Sequence, residues 1–114
     1  MSKKIKVYYI KHPPEDDRER GTEVWQRYLR MTTGYREEKE IPLKKDYRKV
    51  LEFELDNDIP ENTILNKLWH DCQNLDYHEN AVKHDRSMMV GDVIQIDEKV
   101  FTVASIGFTE TEWH

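Results

Sequence analysis

Residues 86–110 read RSMMVGDVIQIDEKVFTVASIGFTE and carry the clearest structural pattern in the chain. Residues 93–96 and 100–103 are mostly apolar and flank the polar pair Asp97-Glu98. Two short β-branched and aromatic runs separated by a few polar residues are typical of a β-hairpin. Gly91 precedes the first run and Gly107 follows the second, and glycine readily adopts the positive φ of a bend or bulge. This stretch therefore predicts a hairpin.

Two further strands are predicted upstream of the hairpin. Residues 3–10 alternate between apolar and polar side chains, which is typical of a strand with one face toward water. Residues 47–55 alternate in the same way. The charged run 15–20 between them is predicted to be a loop that Gly21 ends. The inward-facing residues of the two strands are Ile5, Val7, Tyr9, Leu51, Phe53 and Leu55.

Two helices are predicted between the strands. Thr22 suits the N-cap of a helix of about ten residues, which Gly34 would end. Pro60 and Glu61 suit the first turn of the second helix. Each helix has an apolar stripe at helical spacing that predicts contact with a core. The stripes are Val24, Trp25, Tyr28, Leu29 and Met31 in the first helix, and Ile64, Leu65, Leu68, Trp69 and Cys72 in the second.

The predicted order β-α-β-α-β-β indicates an α+β fold. The simplest arrangement that buries both helical stripes is a mainly antiparallel or mixed sheet of about four strands with two helices on one face. The length of 114 residues indicates a single domain spanning 1–114. A sheet this small leaves its edges exposed, so the chain could also form a dimer.

Composition restricts the classes of partner. Charged residues make up 36% of the chain, and the net charge of −5 is uneven. Residues 1–57 hold 14 Lys/Arg and 12 Asp/Glu, whereas residues 58–114 hold 4 and 11. The second half therefore does not suit nucleic acid, which is bound through Lys and Arg. No membrane segment, signal peptide or internal disulfide is predicted, because the chain lacks a long apolar run and has one cysteine. We expect a cytoplasmic protein.

The hairpin and its entry resemble the YodL-like domain, a small module carried by phages, plasmids and other mobile elements of Gram-positive bacteria. The similarity extends back through the strand 50–55 and the helix 64–69, and is loose before residue 46. The resemblance implies a role in conflict with host defences and brings no enzymatic activity that could be transferred. The residues that carry it are Arg86, Ser87, Met88, Val90, Gly91, Asp92, Val93, Ile94, Phe101, Gly107 and Phe108.

Arg86, Ser87 and Asp92 admit two interpretations. They could form a binding rim at the base of the hairpin, where Arg86 would hold a carboxylate or phosphate with two hydrogen bonds. Alternatively, Ser87 and Asp92 bond nearby backbone groups and Arg86 pairs with an acid, so that all three are structural. We favour the structural interpretation, but the three residues remain candidates for a binding site.

The other candidates are basic or aromatic. Arg36, Lys44 and Lys45 belong to a cluster within residues 36–49 that could meet nucleic acid or an acidic partner, although acids dilute it. Trp113 either packs on the edge of the sheet or anchors a partner. No metal site is predicted, because His70, Cys72, His78 and His84 do not follow a zinc-ligand spacing. No catalytic site is predicted, because no nucleophile–base pair can be assembled from these residues, and no cofactor site is predicted.

Two functions follow from these observations. The first is a non-enzymatic phage or mobile-element protein that binds a host protein and acts as a counter-defence inhibitor. The alternative is a small nucleotide- or nucleic-acid-binding module that uses Arg86 and the basic loop 36–49. An electrostatic map of the folded surface would help to separate them.

Overall fold

A computed structural model describes residues 2–33, 41–73 and 86–114. These residues form three α-helices, one short 3-10 helix and five β-strands. Predictions for Gly34, Arg36, His78 and His84 lie outside them. In chain order the elements are β1 Ser2–Ile10, α1 Glu15–Arg20, α2 Glu23–Thr33, the 3-10 helix Lys44–Asp46, β2 Tyr47–Asp56, α3 Glu61–Asp71, β3 Val93–Ile96, β4 Lys99–Val103 and β5 Phe108–Thr111.

The described strands form one antiparallel sheet in the order β2-β1-β3-β4-β5. The predicted α+β class is therefore confirmed, with five strands instead of about four. The additional strand is β5, which pairs with β4 from Val103 opposite Phe108 to Val100 opposite Thr111. Sequence analysis missed β5 because it has only four residues and a single large apolar side chain.

The predicted hairpin is confirmed as β3 and β4, joined by Asp97 and Glu98. Asp97 has a φ of 53°, a left-handed conformation that aspartate tolerates better than most residues. Its Oδ1 accepts a hydrogen bond from the Lys4 backbone N–H at 2.8 Å, and its own N–H donates to the Lys4 carbonyl at 2.9 Å. The turn therefore attaches the hairpin to the start of β1.

The helices cover opposite faces of the sheet, which corrects the prediction of two helices on one face. Ile64, Leu65 and Leu68 of α3 pack in one cluster with Ile5 and Val7 of β1. Met31 and Tyr28 of α2 pack in a second cluster with the β1 residues that point the other way, Tyr8 and Ile10. Successive strand residues face opposite sides, so the two clusters lie on opposite faces. The predicted wet face of β1 is correspondingly dry over its second half.

Residues 15–20 form helix α1, so the predicted loop is wrong. Its three first-turn positions are acidic and its last turn holds Arg18 and Arg20, which is the favourable arrangement for the helix dipole. Gly21 ends the helix with a φ of 61° and a ψ of 42°. A six-residue helix shows no repeating stripe, so only its charge pattern could have revealed it.

Three exposed apolar positions depart from the predicted stripes. Val24 and Leu29 of α2 are 38% and 36% exposed, and of that helix only Met31 is fully buried. Trp69 of α3 is 39% exposed, although the rest of its predicted stripe is buried. Sequence periodicity shows that a helix has an apolar face, but not how much of that face the sheet is wide enough to cover.

Candidate functional site

Arg86 and Asp92 form an ion pair with two hydrogen bonds. The Arg86 Nη1 donates to Asp92 Oδ2 and its Nη2 donates to Asp92 Oδ1, both at 2.7 Å. The Asp92 side chain is fully buried, whereas that of Arg86 is 32% exposed. This planar two-bond geometry is the strongest form of a carboxylate-guanidinium contact.

The same two side chains bond the backbone of three residues in two segments. Asp92 Oδ1 accepts from the Ile10 N–H at 2.9 Å, and Asp92 Oδ2 accepts from the Met89 N–H at 2.8 Å. Arg86 donates to the carbonyls of Ile10 and Ser87 at 3.1 and 3.0 Å. The pair therefore connects the end of β1 to the segment that enters β3. We call Arg86, Asp92 and these backbone partners the Asp92 joint.

Tyr9 lies beneath the guanidinium group of the Asp92 joint. The Arg86 Cζ is 4.3 Å from the centre of the Tyr9 ring, a distance at which a cation and an aromatic face attract each other. Burial acts to lower the pKa of Arg86, but its hydrogen bonds to Asp92 and the charge of Asp92 raise it above its ordinary value. Arg86 is therefore cationic throughout the accessible pH range.

The structure thus brings the predicted residues Arg86, Ser87 and Asp92 together, with the charges of Arg86 and Asp92 directed at one another. Ser87 takes part through its carbonyl, and not through the hydroxyl that the sequence interpretation used. This geometry is what the structural interpretation predicts for Arg86 and Asp92, but not for the Ser87 side chain. A binding role for them stays a prediction.

The remaining predicted residues lie elsewhere. Trp113 folds back onto the sheet face and contacts the rings of Tyr8 and Tyr47 at 5.0 and 5.3 Å. Its Nε1 donates to Gln95 Oε1 at 3.0 Å. Lys44 sits 5.8 Å from the Trp113 ring, so its cation is directed toward aromatic groups. Lys45 lines a groove beside helix α2. Arg36 is outside the described residues.

Among the described residues, no three His, Cys, Asp or Glu side chains are placed to hold a metal ion. Cys72 is 1% exposed and packs in the core beside α3. Burial raises the pKa of the Cys72 thiol to about 11, although a hydrogen bond with Tyr9 acts in the opposite direction. The thiol is therefore protonated at neutral pH and is a weak nucleophile.

We expect Cys72 to resist alkylation in the native protein. At pH 8 a thiol with a pKa of about 11 is ionised in roughly one molecule in a thousand, compared with roughly a quarter for an unperturbed thiol. Ionisation alone should therefore slow the reaction with iodoacetamide on the order of 100-fold relative to the same chain in urea. Mass spectrometry of timed samples measures both rates. A native rate within ten-fold of the unfolded rate would contradict the buried position.

A groove beside α2 is a concave surface that sequence analysis missed. It has a volume of about 380 Å³ and lies between the end of β1 and helix α2. Its walls are residues 10–14, Val24 and Tyr28 of α2, and Lys45 and Asp46 of the 3-10 helix. We call it the α2 groove. It contains an exposed aliphatic side chain, Val24, that would otherwise be expected in the core.

Aromatic rings stiffen one wall of the α2 groove. The rings of Trp25 and Tyr28 stack with their centres 5.4 Å apart. The His12 ring meets both edge-on, at 5.8 Å from Trp25 and 5.0 Å from Tyr28. The His12 Nδ1 lies 2.8 Å from the Pro13 carbonyl, which can only accept, so Nδ1 carries the proton of the neutral ring. These contacts hold the wall in one conformation.

An ion pair joins the two sides of the α2 groove. Arg27 of α2 donates from Nε to Asp46 Oδ2 at 2.8 Å and from Nη2 to Asp46 Oδ1 at 3.1 Å. The two side chains are 19% and 14% exposed. The hydrogen bonds that Arg27 donates to Asp46 raise the pKa of Arg27, so Arg27 is cationic at all working pH values. Asp46 is therefore neutralised by Arg27 although it lines the groove.

The sequence held one signal for this groove. The apolar positions of α2, residues 24, 25, 28, 29 and 31, span roughly 160° of the helix at 100° per residue. A single helix that rests its last turn on a sheet cannot bury so wide a stripe. The excess width indicates a second apolar contact, but does not say what fills it.

The strands from residues 1–57 lie at one side of the sheet, and those from the acidic residues 58–114 lie at the other. Strands β1 and β2 come from the balanced half, whereas β3, β4 and β5 come from the acidic half and lie side by side. Three acids of the second half have cationic partners: Asp92 with Arg86, Asp71 with Lys67 at 3.1 Å, and Glu61 with Lys99 at 2.8 Å. The α2 groove lies on the side of the balanced half.

Comparison with protein-family models, with curated proteins and with solved structures finds no match to this chain. The resemblance to the YodL-like domain therefore stays a prediction that rests on residues 86–110. Within the described residues, no helix has the length and apolar character needed to cross a membrane.

Proposed function

We propose that this chain is a non-enzymatic protein of a phage or mobile element that binds a host protein in the cytoplasm and blocks it as a counter-defence inhibitor. The α2 groove is the docking surface. The observation that supports this proposal most directly is the exposed position of Val24, on a rigid aromatic wall and facing a groove of about 380 Å³. The resemblance to the YodL-like domain supplies the biological setting.

A groove of this kind suits protein recognition for a physical reason. Aromatic rings that are already packed together lose little conformational entropy when a partner covers them. Most of the binding energy of a protein interface comes from a few anchoring side chains that enter such pockets near its centre. The Trp25-Tyr28 stack and the Arg27-Asp46 ion pair hold both walls in place before any partner arrives.

The alternative function is nucleic-acid binding through Arg86 and the basic loop 36–49, and it draws no support from the contacts of Arg86, Lys44 and Lys49. Arg86 donates to Asp92, and Lys49 pairs with Glu52 at 2.5 Å. Lys44 is directed toward the rings of Tyr8 and Trp113. Cations that already have partners must give them up before they can contact phosphates, so we argue for the protein-binding function.

We expect Val24→Glu to abolish binding of the host partner. The new carboxylate would stand in the apolar part of the groove, where a partner side chain could not cover it without a desolvation cost. Tagged wild-type and variant chains would be used to purify partners from infected host cells. A protein that the wild type retains and Val24→Glu loses, followed by reconstitution with the purified partner, would support the proposal.

Ile106→Glu is the matched control for this experiment. Ile106 is 93% exposed in the β4–β5 turn and does not line the α2 groove, so the same substitution there should leave binding unchanged. Circular dichroism should show that both variants fold, because both side chains are exposed. Recovery of no specific host protein, or equal retention by both variants, would count against the proposed function.

A further inference from the structure

We infer that the occupant of the α2 groove is a peptide segment of the partner in which an acidic side chain stands next to a large apolar one. This inference rests on the proposed function, because it names the chemistry of the partner at the same groove. The proposed occupant is a segment with a local negative charge, and not an extended polyanion. The distribution of charge along the groove supports this inference.

Two of the residues that line the groove are lysines. Lys11 and Lys45 are both exposed, and the Lys11 backbone N–H donates to the carbonyl of Asp46, the neighbour of Lys45, at 2.8 Å. In the part of the chain that the structure describes, neither ammonium group has an acidic partner within 4.0 Å. The nearest acid on the groove wall, Asp46, is already paired with Arg27. The two lysines therefore leave a positive charge that a partner can neutralise.

Apart from His12 and Asp46, the rest of the groove lining is mainly apolar. Ile10 and Pro13 are buried at its base, and Val24 and Tyr28 form the wall contributed by α2. Its volume of about 380 Å³ is near the lower end of the range of roughly 300–1,000 Å³ that is usual for ligand pockets. This space suits one or two large side chains and not a folded domain. A large apolar side chain of the partner would contact the apolar wall, and a neighbouring carboxylate would contact the two lysines.

Acidic residues that follow the groove lining in sequence argue against nucleic acid. Helix α1 starts directly after Pro14, and its first turn consists of Glu15, Asp16 and Asp17. A nucleic acid carries one negative charge per nucleotide, so a strand that reached both lysines would also run past these acids. A peptide can place its carboxylates only where the lysines are.

The test is a titration of the ¹⁵N-labelled full chain with defined probes, followed by NMR. The first probe is a capped peptide in which two glutamates precede a leucine–phenylalanine pair. The second has lysines in place of the glutamates, and the third has alanines in place of the apolar pair. A ten-nucleotide oligothymidine is the fourth. We expect the first peptide to bind at least ten-fold more tightly than the others, with shift changes at Lys11, Val24, Tyr28 and Lys45.

Charge reversal supplies the variant test. Lys11→Glu combined with Lys45→Glu should weaken the glutamate peptide at least ten-fold and strengthen the lysine peptide, because opposite charges would again face each other. Lys4→Glu combined with Lys6→Glu changes the net charge equally at the other end of β1, and should change neither affinity more than two-fold. Thermal unfolding of both double variants shows whether the fold is retained.

Three results would overturn the inference: equal binding of the glutamate and lysine peptides, tighter binding of oligothymidine in the groove, or shift changes confined to other surfaces. The outcome is separable from that of the proposed function. If Val24→Glu loses the host partner while the lysine reversal keeps it, the protein-binding function stands and the acidic segment is wrong. If the glutamate peptide binds as expected but no host protein is recovered, the groove chemistry stands and the function is wrong.

Discussion

Asp92→Ala is expected to lower the free energy of unfolding by about 3–5 kcal/mol, a large part of the total stability of a domain of this size. The Asp92 carboxylate is fully buried and accepts four hydrogen bonds, two from Arg86 and one each from the N–H groups of Ile10 and Met89. Its removal leaves a half-buried guanidinium without its counter-charge and two backbone donors without an acceptor. Urea denaturation followed by circular dichroism measures the change.

Asp16→Ala is the matched control for Asp92→Ala. The Asp16 side chain is 70% exposed and pairs with Arg20 across one turn of α1 at 3.2 Å. Exposed pairs of this kind contribute little to stability, so the change should stay within about 0.5 kcal/mol. If Asp92→Ala cost less than about 1 kcal/mol, the Asp92 joint would not be the structural connection that its geometry indicates.

Gly91→Ala is expected to lower the free energy of unfolding by at least about 3 kcal/mol. Gly91 has a φ of 96°, a conformation that L residues with a side chain rarely adopt. A Cβ at this position would lie 2.6 Å from the Met31 carbonyl oxygen and 2.9 Å from its carbon. Both atoms belong to the backbone of α2, so the helix itself would have to move away from the sheet. Urea denaturation again measures the change.

Gly107→Ala separates the two causes of that loss. Gly107 also has a positive φ, 72°, but no atom lies within 4 Å of the Cβ position. Only the backbone strain applies there, so the cost should be about 1–2 kcal/mol. Equal effects of the two substitutions would mean that the contact between Gly91 and α2 does not constrain the fold. A larger effect at Gly91 would identify this contact as the point that sets the position of α2.

Asp92→Ala and Gly91→Ala should disturb the α2 groove as well as lower the stability of the protein. Ile10, which accepts from Arg86 and donates to Asp92, also lies at the base of the groove. Gly91 lies against the last turn of the helix that forms one wall, and Tyr47 Oη donates to the Gly91 carbonyl at 2.6 Å. If the proposed function holds, Arg86, Gly91 and Asp92, on which the predicted resemblance to the YodL-like domain rests, would act on binding indirectly, by holding the groove in position. Such a role would explain why the charges of Arg86 and Asp92 face one another.

Periodic patterns in the chain were sufficient for much of the architecture. The hairpin 93–103, the alternation of β1 and β2, and the helix that begins after Pro60 all follow from local spacing and turn residues. Thr22 is the predicted N-cap of α2, and its Oγ1 accepts from the Trp25 N–H at 3.3 Å. Local patterns succeed here because backbone hydrogen bonding and side-chain period depend on neighbours in sequence. Elements too short to show a period, α1 and β5, were missed for the same reason.

The sequence by itself therefore determines that this chain is an α+β domain with a C-terminal hairpin and an apolar core. Tertiary structure decides which groups meet. Asp92 bonds Ile10 across 82 residues of sequence, and Arg27 bonds Asp46 only because the sheet order brings the 3-10 helix beside α2. Whether an apolar residue such as Val24 is buried or exposed depends on how far the opposite surface extends. Local spacing carries no information about such distant contacts, so the α2 groove and the two lysines in its lining became visible only in the folded chain.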